Sequence, residues 1–384
     1  MAAIDEGSGN PLLDFEHLAR FDAIQPPHIS PAVDSLLTAA RAAVAKATAE
    51  ETPATWDAVV EPLDEALEHL GRAWGAVSHM NAVVDTPALR EQYNANLPKL
   101  TAFWTELSQN EALYAKYKAI AARPDAAVMP PSRRKVIANE LRDFRLGGAE
   151  LAPPHKARLR EIRERQSALS TRFAENVLDA TNDFALYLDT PAQLAGVPPD
   201  QLLMYREAAA NEEHTGYKVT LHFPSYYPVM QYANDRDLRA RLHRAYSTRA
   251  SESGKPDWDN SATMAELLQL RQEQARLIGF RMFAELSLEP KMASSPDEVM
   301  TFLRDLARRS KPHAMQDMQE LRDFAARELN LPTLEAWDLA FASEKLREAR
   351  YAYSEHELKQ YFPEPKVLAG LFKVIETLFS VAIR

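Results

Sequence analysis

The sequence contains no cysteine and little glycine, and both shortages limit the chemistry open to it. Glycine accounts for 11 of 384 residues, about 3% where roughly 7% is usual. Without cysteine, there can be no disulfides, thiolate zinc sites, iron–sulfur clusters or cysteine nucleophiles. The close glycine pairs Gly7/Gly9 and Gly147/Gly148 lack the spacing of Rossmann or P-loop phosphate sites. The Gly-x-Ser-x-Gly motif of serine hydrolases is absent as well.

Long apolar runs, an export signal and an excess of basic residues are also missing. No stretch approaches 18 consecutive apolar residues, and the N-terminal residues 1–7 are neither basic nor strongly apolar. The 45 Lys and Arg against 55 Asp and Glu give a net charge of −10, which disfavours binding to nucleic acid or anionic membranes. We therefore expect a cytoplasmic protein with neither of these partners.

Prolines are frequent, and several of the 25 follow a hydroxyl residue. A hydroxyl caps the first free N–H groups of a helix, and proline is tolerated in the first helical turn. After Ser295, Glu298 predicts a capping box. A hydroxyl residue followed by proline therefore predicts helix starts at Ser30-Pro31, Thr52-Pro53, Thr86-Pro87, Thr190-Pro191 and Ser295-Pro296.

Apolar residues recur at helical spacing through most of the chain. Amphipathic stripes run through 55–80, 87–120, 157–185, 262–280, 366–379 and, after Ser295, through Val299, Phe302, Leu303 and Leu306. Between Tyr217 and Phe223 apolar and polar residues alternate instead, until Pro224 ends the run. These patterns predict a mostly α fold with one small β element near 217–223.

Two proline-rich stretches, 122–132 and 189–216, interrupt the helical patterns. They divide the chain into three predicted parts. Residues 1–130 form an N-terminal helical domain, 131–216 a connecting helical region, and 217–384 the beginning of a third domain.

No complete metal site can be found among the ten histidines, because no two lie four residues apart. The stretch His356–Gln360 begins like a zincin motif but has Gln360 where the second histidine should stand. A solvated helix start explains it better than zinc. His214 and His222 are likewise better explained as solvated side chains than as ligands.

A basic cluster with neighbouring tyrosines lies between residues 226 and 249. Basic and aromatic residues together can bind single-stranded nucleic acid. Here Asp235 and Asp237 reduce the local positive charge, and the chain as a whole is acidic. A charged helix face is the favoured interpretation, as it is for the Arg- and Glu-rich stretch 133–172. The cluster contains Arg236, Arg239, Arg241, Arg244 and Arg249, with Tyr226, Tyr227, Tyr232 and Tyr246.

Several strings, collinear over essentially the whole chain, resemble oligopeptidase A, a thimet-oligopeptidase-like family of zinc metallopeptidases. They are residues 10–38, 74–90, 142–151, 173–182, 224–230, 244–251, 258–261, 337–338, 343–347, 361–363 and 370–372. The resemblance implies a multi-helix lobe of a two-lobed zincin-type oligopeptidase. It further implies cleavage of short, unfolded intracellular peptides in a deep channel.

In that family two histidines of an H-E-x-x-H helix and a later glutamate hold zinc, and the motif's glutamate activates the bound water. This sequence contains no H-E-x-x-H, and the resemblance implies that the chain ends before that motif. No catalytic or metal-binding residue can therefore be assigned. We expect the 384 residues alone to bind no catalytic zinc and to be inactive.

The family resemblance suggests four residues that line the channel: Trp337, Asp338, Lys345 and Tyr351. Packing and a helix cap explain them equally well. The family's Trp-Asp-x-x-Tyr-Tyr pattern has Phe341 and Ala342 here in place of the tyrosine pair, which weakens any role of that segment in the channel.

Two functions remain open. The first is the N-terminal part of a zinc oligopeptidase, whose apolar end at 371–383 needs a missing C-terminal catalytic segment to cover it. The second is a non-catalytic helical peptide-binding or scaffold protein, or one half of a split peptidase. The apolar end favours the first.

Overall fold

The computed structural model describes residues 9–351 and 358–383. Within them it has fourteen α-helices and a single two-stranded sheet, which confirms the mostly α prediction. The helices are α1 (Pro26–Thr48), α2 (Glu61–Val83), α3 (Pro87–Ser108), α4 (Glu111–Ala121), α5 (Pro131–Gly147), α6 (Pro153–Asp183), α7 (Pro199–Ala210), α8 (Phe223–Tyr232), α9 (Arg236–Ser247), α10 (Ser261–Leu277), α11 (Phe283–Leu288), α12 (Pro296–Glu328), α13 (Leu339–Tyr351) and α14 (Glu364–Phe379). The strands are β1 (Ala185–Leu188) and β2 (Tyr217–Thr220).

The chain forms two compact units. Unit 1 comprises Met1–Arg172 and Thr263–Val299, and unit 2 comprises Phe173–Ala262 and Met300–Arg384. The limits fall inside α6, α10 and α12, so these helices contribute to both units. The three-part division at 130/131 and 216/217 stays a prediction.

Two apolar cores stabilise unit 1. The first joins α1, α2 and α3 through side chains that are almost completely buried, among them Leu36, Leu70 and Phe103. The second joins the end of α1 and the start of α2 to α4 and α5, and includes Ile120 and Phe144. Burying each such side chain contributes about 1.5–3 kcal/mol, so apolar packing sets the arrangement of these five helices.

The α6–α10 contact in unit 1 combines a short apolar row with two bidentate ion pairs. Ile162 of α6 packs in a small cluster with Leu267 and Leu270. Arg158 donates to both carboxylate oxygens of Glu273 at 2.7 and 2.9 Å, and Arg165 to those of Glu266 at 2.6 and 2.8 Å. The fork shape of arginine makes such pairs directional, so they define the register of the two helices.

The sheet of unit 2 is an antiparallel pair in which Leu186 lies opposite Val219. Gly216 precedes β2 with φ +92°, and a Cβ there would lie 2.3 Å from the carbonyl oxygen of Leu188. Only glycine fits this close approach. The apolar face of the sheet packs on α7, α8 and α9 in one core that includes Tyr205, whose hydroxyl donates to the Ser225 carbonyl at 2.7 Å.

The predicted strand at 217–223 exists but ends earlier. β2 stops at Thr220, because Ser225 of α8 accepts a hydrogen bond from the Thr220 N–H at 2.9 Å. The Ser225 N–H in turn donates to the His222 carbonyl at 2.8 Å. Phe223 therefore begins a helix instead of ending a strand.

The hydroxyl–proline signal predicts three helix starts correctly and two wrongly. Thr86 caps α3, Thr190 precedes a short 3-10 helix, and Ser295 caps α12 by accepting from the Glu298 N–H. The Glu298 carboxylate accepts from Ser294, one residue before the predicted partner. At Ser30-Pro31 and Thr52-Pro53 no helix begins: α1 starts at Pro26, and Thr55 caps the π-helical turn that leads into α2.

Among the described helices, none combines the length and the apolar character that a membrane crossing requires.

Glu140 of α5 lies partly buried beside other acids in unit 1. Burial raises the pKa of its carboxyl group, the charges of Asp143 and Asp64 raise it further, and Arg142 opposes them. A carboxyl group with a raised pKa binds its proton more tightly in the folded state, so stability falls as pH rises through that pKa.

We therefore predict that Glu140→Gln raises the thermal unfolding midpoint at pH 7 and has little effect at about pH 4, where the wild-type carboxyl group is largely protonated. Differential scanning calorimetry at both pH values measures this. Glu68→Gln, at an exposed position of α2, is the matched control and should change neither midpoint. An equal or lower midpoint for Glu140→Gln at pH 7 would contradict the prediction.

Candidate functional site

The four candidate channel residues lie on one segment of unit 2, a 3-10 turn at Ala336–Asp338 followed directly by α13. Their surroundings differ widely. Asp338 is fully buried, Trp337 and Lys345 are partly buried, and Tyr351 is 57% exposed. The structure therefore places them on one element without giving them one common environment.

Asp338 is held by two arginines of α9. Its carboxylate accepts from Arg236 Nη2 at 2.6 Å and Arg239 Nη2 at 2.9 Å, and from the backbone N–H of Glu335 at 3.0 Å. Burial raises the pKa of Asp338, but the hydrogen bonds from Arg236, Glu335 and Arg239 outweigh it and hold the pKa below its usual value. Asp338 is therefore ionised at neutral pH, and its oxygens are fully engaged in structural contacts.

Arg239 is the second buried charge, with 1% of its surface exposed. Besides Asp338, its guanidinium donates to the Ala233 carbonyl at 2.7 Å and the Trp337 carbonyl at 3.3 Å. It also lies 4.1 Å above the Phe341 ring, a favourable cation–π geometry. This guanidinium thus has acceptors around its edge and an aromatic ring over one face.

The other three candidates have looser contacts. The Trp337 indole meets His243 edge-on at 6.0 Å and packs against the core of unit 2. The Lys345 ammonium pairs with Glu348 at 2.9 Å. Arg350 lies 5.9 Å from the Tyr351 ring. Nothing in these contacts tests a channel position, which stays a prediction for all four residues.

A second buried carboxylate, which no sequence pattern singled out, lies in the second turn of α13. Glu344 is 2% exposed, and its Oε2 accepts from Gln231 of α8 at 2.9 Å and from Arg347. Its Oε1 has no hydrogen-bond partner among the described residues. The residue lies inside the family-like string at 343–347, but no local pattern distinguishes it from a surface glutamate.

The basic cluster is not a uniform charged helix face, since Arg239 is buried and Arg236 pairs with Asp338. Arg249 lies 3.9 Å over the Tyr246 ring, which stacks on Tyr226 at 4.2 Å. Much of the cluster therefore serves internal packing.

The histidine candidates remain without a metal site. His214 packs against Tyr187 at 4.2 Å between ring centres, and His222 immediately precedes α8 instead of lying on a strand. No group of three potential metal ligands exists in residues 9–351 and 358–383. His356 lies outside the described residues.

Comparison with known families accounts for much of the chain. Residues 33–156 match the neurolysin/thimet oligopeptidase N-terminal domain, and residues 229–384 match peptidase family M3. The second match contains the last part of α8, all of α9 and the Asp338 cluster. The chain is therefore similar to the M3 peptidases over residues 229–384 and to the thimet oligopeptidase N-terminal domain over residues 33–156.

The resemblance to oligopeptidase A is confirmed. The chain is 40% identical to oligopeptidase A of Salmonella typhimurium over 377 residues, 98% of this chain and 55% of that protein. Oligopeptidase A of Haemophilus influenzae is also 40% identical, over 374 residues, 97% of this chain and 55% of the relative. The chain thus spans about half the length of these relatives.

A likeness of fold extends to a Bacillus anthracis protein solved under the name oligoendopeptidase F. The TM-score is 0.54 at 15% sequence identity, over 81% of this chain and 48% of that one. At this identity the likeness concerns the fold alone.

We predict that Asp338→Asn lowers the free energy of unfolding by about 3–5 kcal/mol, because it leaves two arginines facing a neutral group in a buried site. Urea unfolding measures the loss, and hydrogen exchange should show faster exchange in α8 and α9. Asp305→Asn, which removes the shared partner of the exposed Arg308 and Arg309, is the control, expected to change stability by about 0.5 kcal/mol or less. Equal effects of the two substitutions would refute the assignment.

Proposed function

We propose that these 384 residues are the N-terminal part of an oligopeptidase A-type zinc metalloendopeptidase that degrades short, unfolded peptides. The observation that carries the proposal is the 40% identity with oligopeptidases A across nearly the whole chain. The M3 match over residues 229–384 supports it.

The zinc expected for the complete family does not fit the residues present here. The sequence contains no H-E-x-x-H, and the described residues provide no group of three metal ligands. We therefore derive no catalytic step from this chain, and we propose that it is catalytically inactive on its own.

The apolar surface of α14 supports the need for further polypeptide. Eight apolar residues cover one side of the helix, and most of them are exposed in the described structure. Contiguous apolar patches of this kind mark contact surfaces. We propose that the remaining part of an oligopeptidase A-length polypeptide covers this side. The residues are Val367, Leu368, Leu371, Phe372, Val374, Ile375, Leu378 and Phe379.

We further propose short peptides as partners, no nucleic acid or membrane partner, and a cytoplasmic location. The net charge of −10 argues against polyanionic partners. For the location, one relative is named "Probable cytosolic oligopeptidase A", while another is named organellar, both from Arabidopsis thaliana.

A chimera tests the function. Residues 1–384 are joined to the part of Escherichia coli oligopeptidase A that follows its matched region; that relative is 40% identical over 98% of this chain. We expect cleavage of a short quenched-fluorescence peptide, loss of cleavage with a chelator, and recovery with added zinc.

Two controls make the result specific. The same chimera with glutamine in place of the glutamate of H-E-x-x-H should bind zinc but cleave nothing, since the general base is gone. The 384 residues alone should show no chelator-sensitive turnover. A folded, zinc-loaded chimera without activity would contradict the proposed function, and turnover by the 384-residue chain would contradict its incompleteness.

A further inference from the structure

Met292 lies in the turn between α11 and α12 of unit 1, and its side chain is completely open to solvent. It is 103% exposed, whereas Met230 of α8 is 3% exposed. Methionine is an apolar, adaptable side chain that usually fills gaps in a core. A fully exposed thioether contributes nothing to packing, so its chemical reactivity is the property that remains.

Hydrogen bonds hold the turn on both sides of Met292. Before it, the Lys291 N–H donates to the Leu288 carbonyl at 2.7 Å. After it, Ser294 donates to the Glu298 carboxylate from its backbone N–H at 2.7 Å and from its hydroxyl at 2.6 Å. The exposure of Met292 therefore belongs to a turn that is anchored to the helices on either side of it.

The other methionines of the described residues are more protected. Met315, Met264 and Met300 are 63%, 44% and 42% exposed. All three lie in helices, where a side chain leans over the preceding turn and is covered on one side. Met292 is thus the described methionine that an oxidant in solution reaches most easily. The remaining described methionines are buried or partly buried: Met80, Met129, Met204, Met230, Met282 and Met318.

Hydrogen peroxide oxidises methionine by transferring one oxygen atom to the sulfur. An S–O bond forms and the O–O bond breaks. The sulfur loses two electrons, and the peroxide leaves as water with both of its hydrogens. Methionine sulfoxide reductases reverse the step with two thiols, which become a disulfide while the sulfoxide oxygen leaves as water. Because the chain contains no cysteine, no thiol of its own competes for the peroxide.

We propose that Met292 is the primary site of reversible oxidation in these 384 residues, with a peroxide as the oxidising substrate. The turn already presents this side chain to solvent, so the sulfoxide stays at the surface and no packed contact is lost. At Met230 the same change would place a polar group in the core of unit 2, which is costly. The modification is independent of the proposed peptidase function.

Limited oxidation of the full 384-residue chain tests the proposal. The chain is treated with hydrogen peroxide for increasing times, quenched with free methionine and digested with trypsin. One tryptic peptide, residues 292–304, contains both Met292 and Met300, so fragment masses compare the two sites within a single molecule. We expect Met292 to react about threefold faster than Met300 or Met315, and at least about tenfold faster than Met230, since oxidation follows exposure.

Matched variants and an unfolded sample separate the effect of the turn from that of the local sequence. Met292→Leu should remove the fastest-reacting site without changing the thermal unfolding midpoint, whereas Met300→Leu should leave the rate at Met292 unchanged. In concentrated urea, where unfolding exposes every methionine, all rates should agree within about twofold. Both epimer-specific reductases with dithiothreitol should restore Met292 in the folded, oxidised chain. Circular dichroism should show the same helix content before and after oxidation.

Three results would overturn the proposal. They are an equal or faster rate at Met300 or Met315, a rate advantage of Met292 that persists in urea, and a loss of helix content when Met292 alone is oxidised. Failure of the reductases to restore Met292 would refute its reversibility.

Discussion

The buried carboxylate of Asp338 joins helices of unit 2 that also meet in one apolar core. Through Arg236 and Arg239 it connects α9 to the turn before α13, and Arg239 extends the connection to the carbonyl of Ala233 at the end of α8. Phe341 covers the guanidinium of Arg239 from α13. Desolvating these charges is costly, so the cluster is favourable only because every polar atom finds a partner. The arrangement of α8, α9 and α13 therefore depends on this set of hydrogen bonds together with the apolar core that the three helices share.

Helix formation was predictable where a local signal decides it and not where a distant contact does. Thr86 caps α3 by accepting a hydrogen bond from the Leu89 N–H at 3.3 Å. Ser30 carries the same signal, but its hydroxyl donates to Gln92 of α3 at 2.8 Å, inside a helix that began at Pro26. The hydroxyl of Thr52 donates to the Lys46 carbonyl at the end of α1. A hydroxyl before proline thus indicates a helix start only where the fold has not already placed the residue inside a helix, as at Ser30, or in the turn that ends one, as at Thr52.

The candidate site shows the same limit at longer range. Trp337 and Asp338 were recognisable through a family-like string, but the two arginines that bind Asp338 lie about a hundred residues earlier. Arg239 was expected on a charged helix face because its neighbours are charged. Its burial depends on a carboxylate that only the tertiary fold supplies. Periodicity assigns residues to a side of a helix, and the fold decides whether that side meets water or an opposite charge.

Apolar stripes on α1, α12 and α14 look alike in sequence, yet only the first is fully covered. Leu36 of α1 is 1% exposed, whereas Leu306 of α12 is 53% and Leu378 of α14 is 71% exposed. The difference lies in the neighbours that each helix finds, which no period of three or four residues encodes.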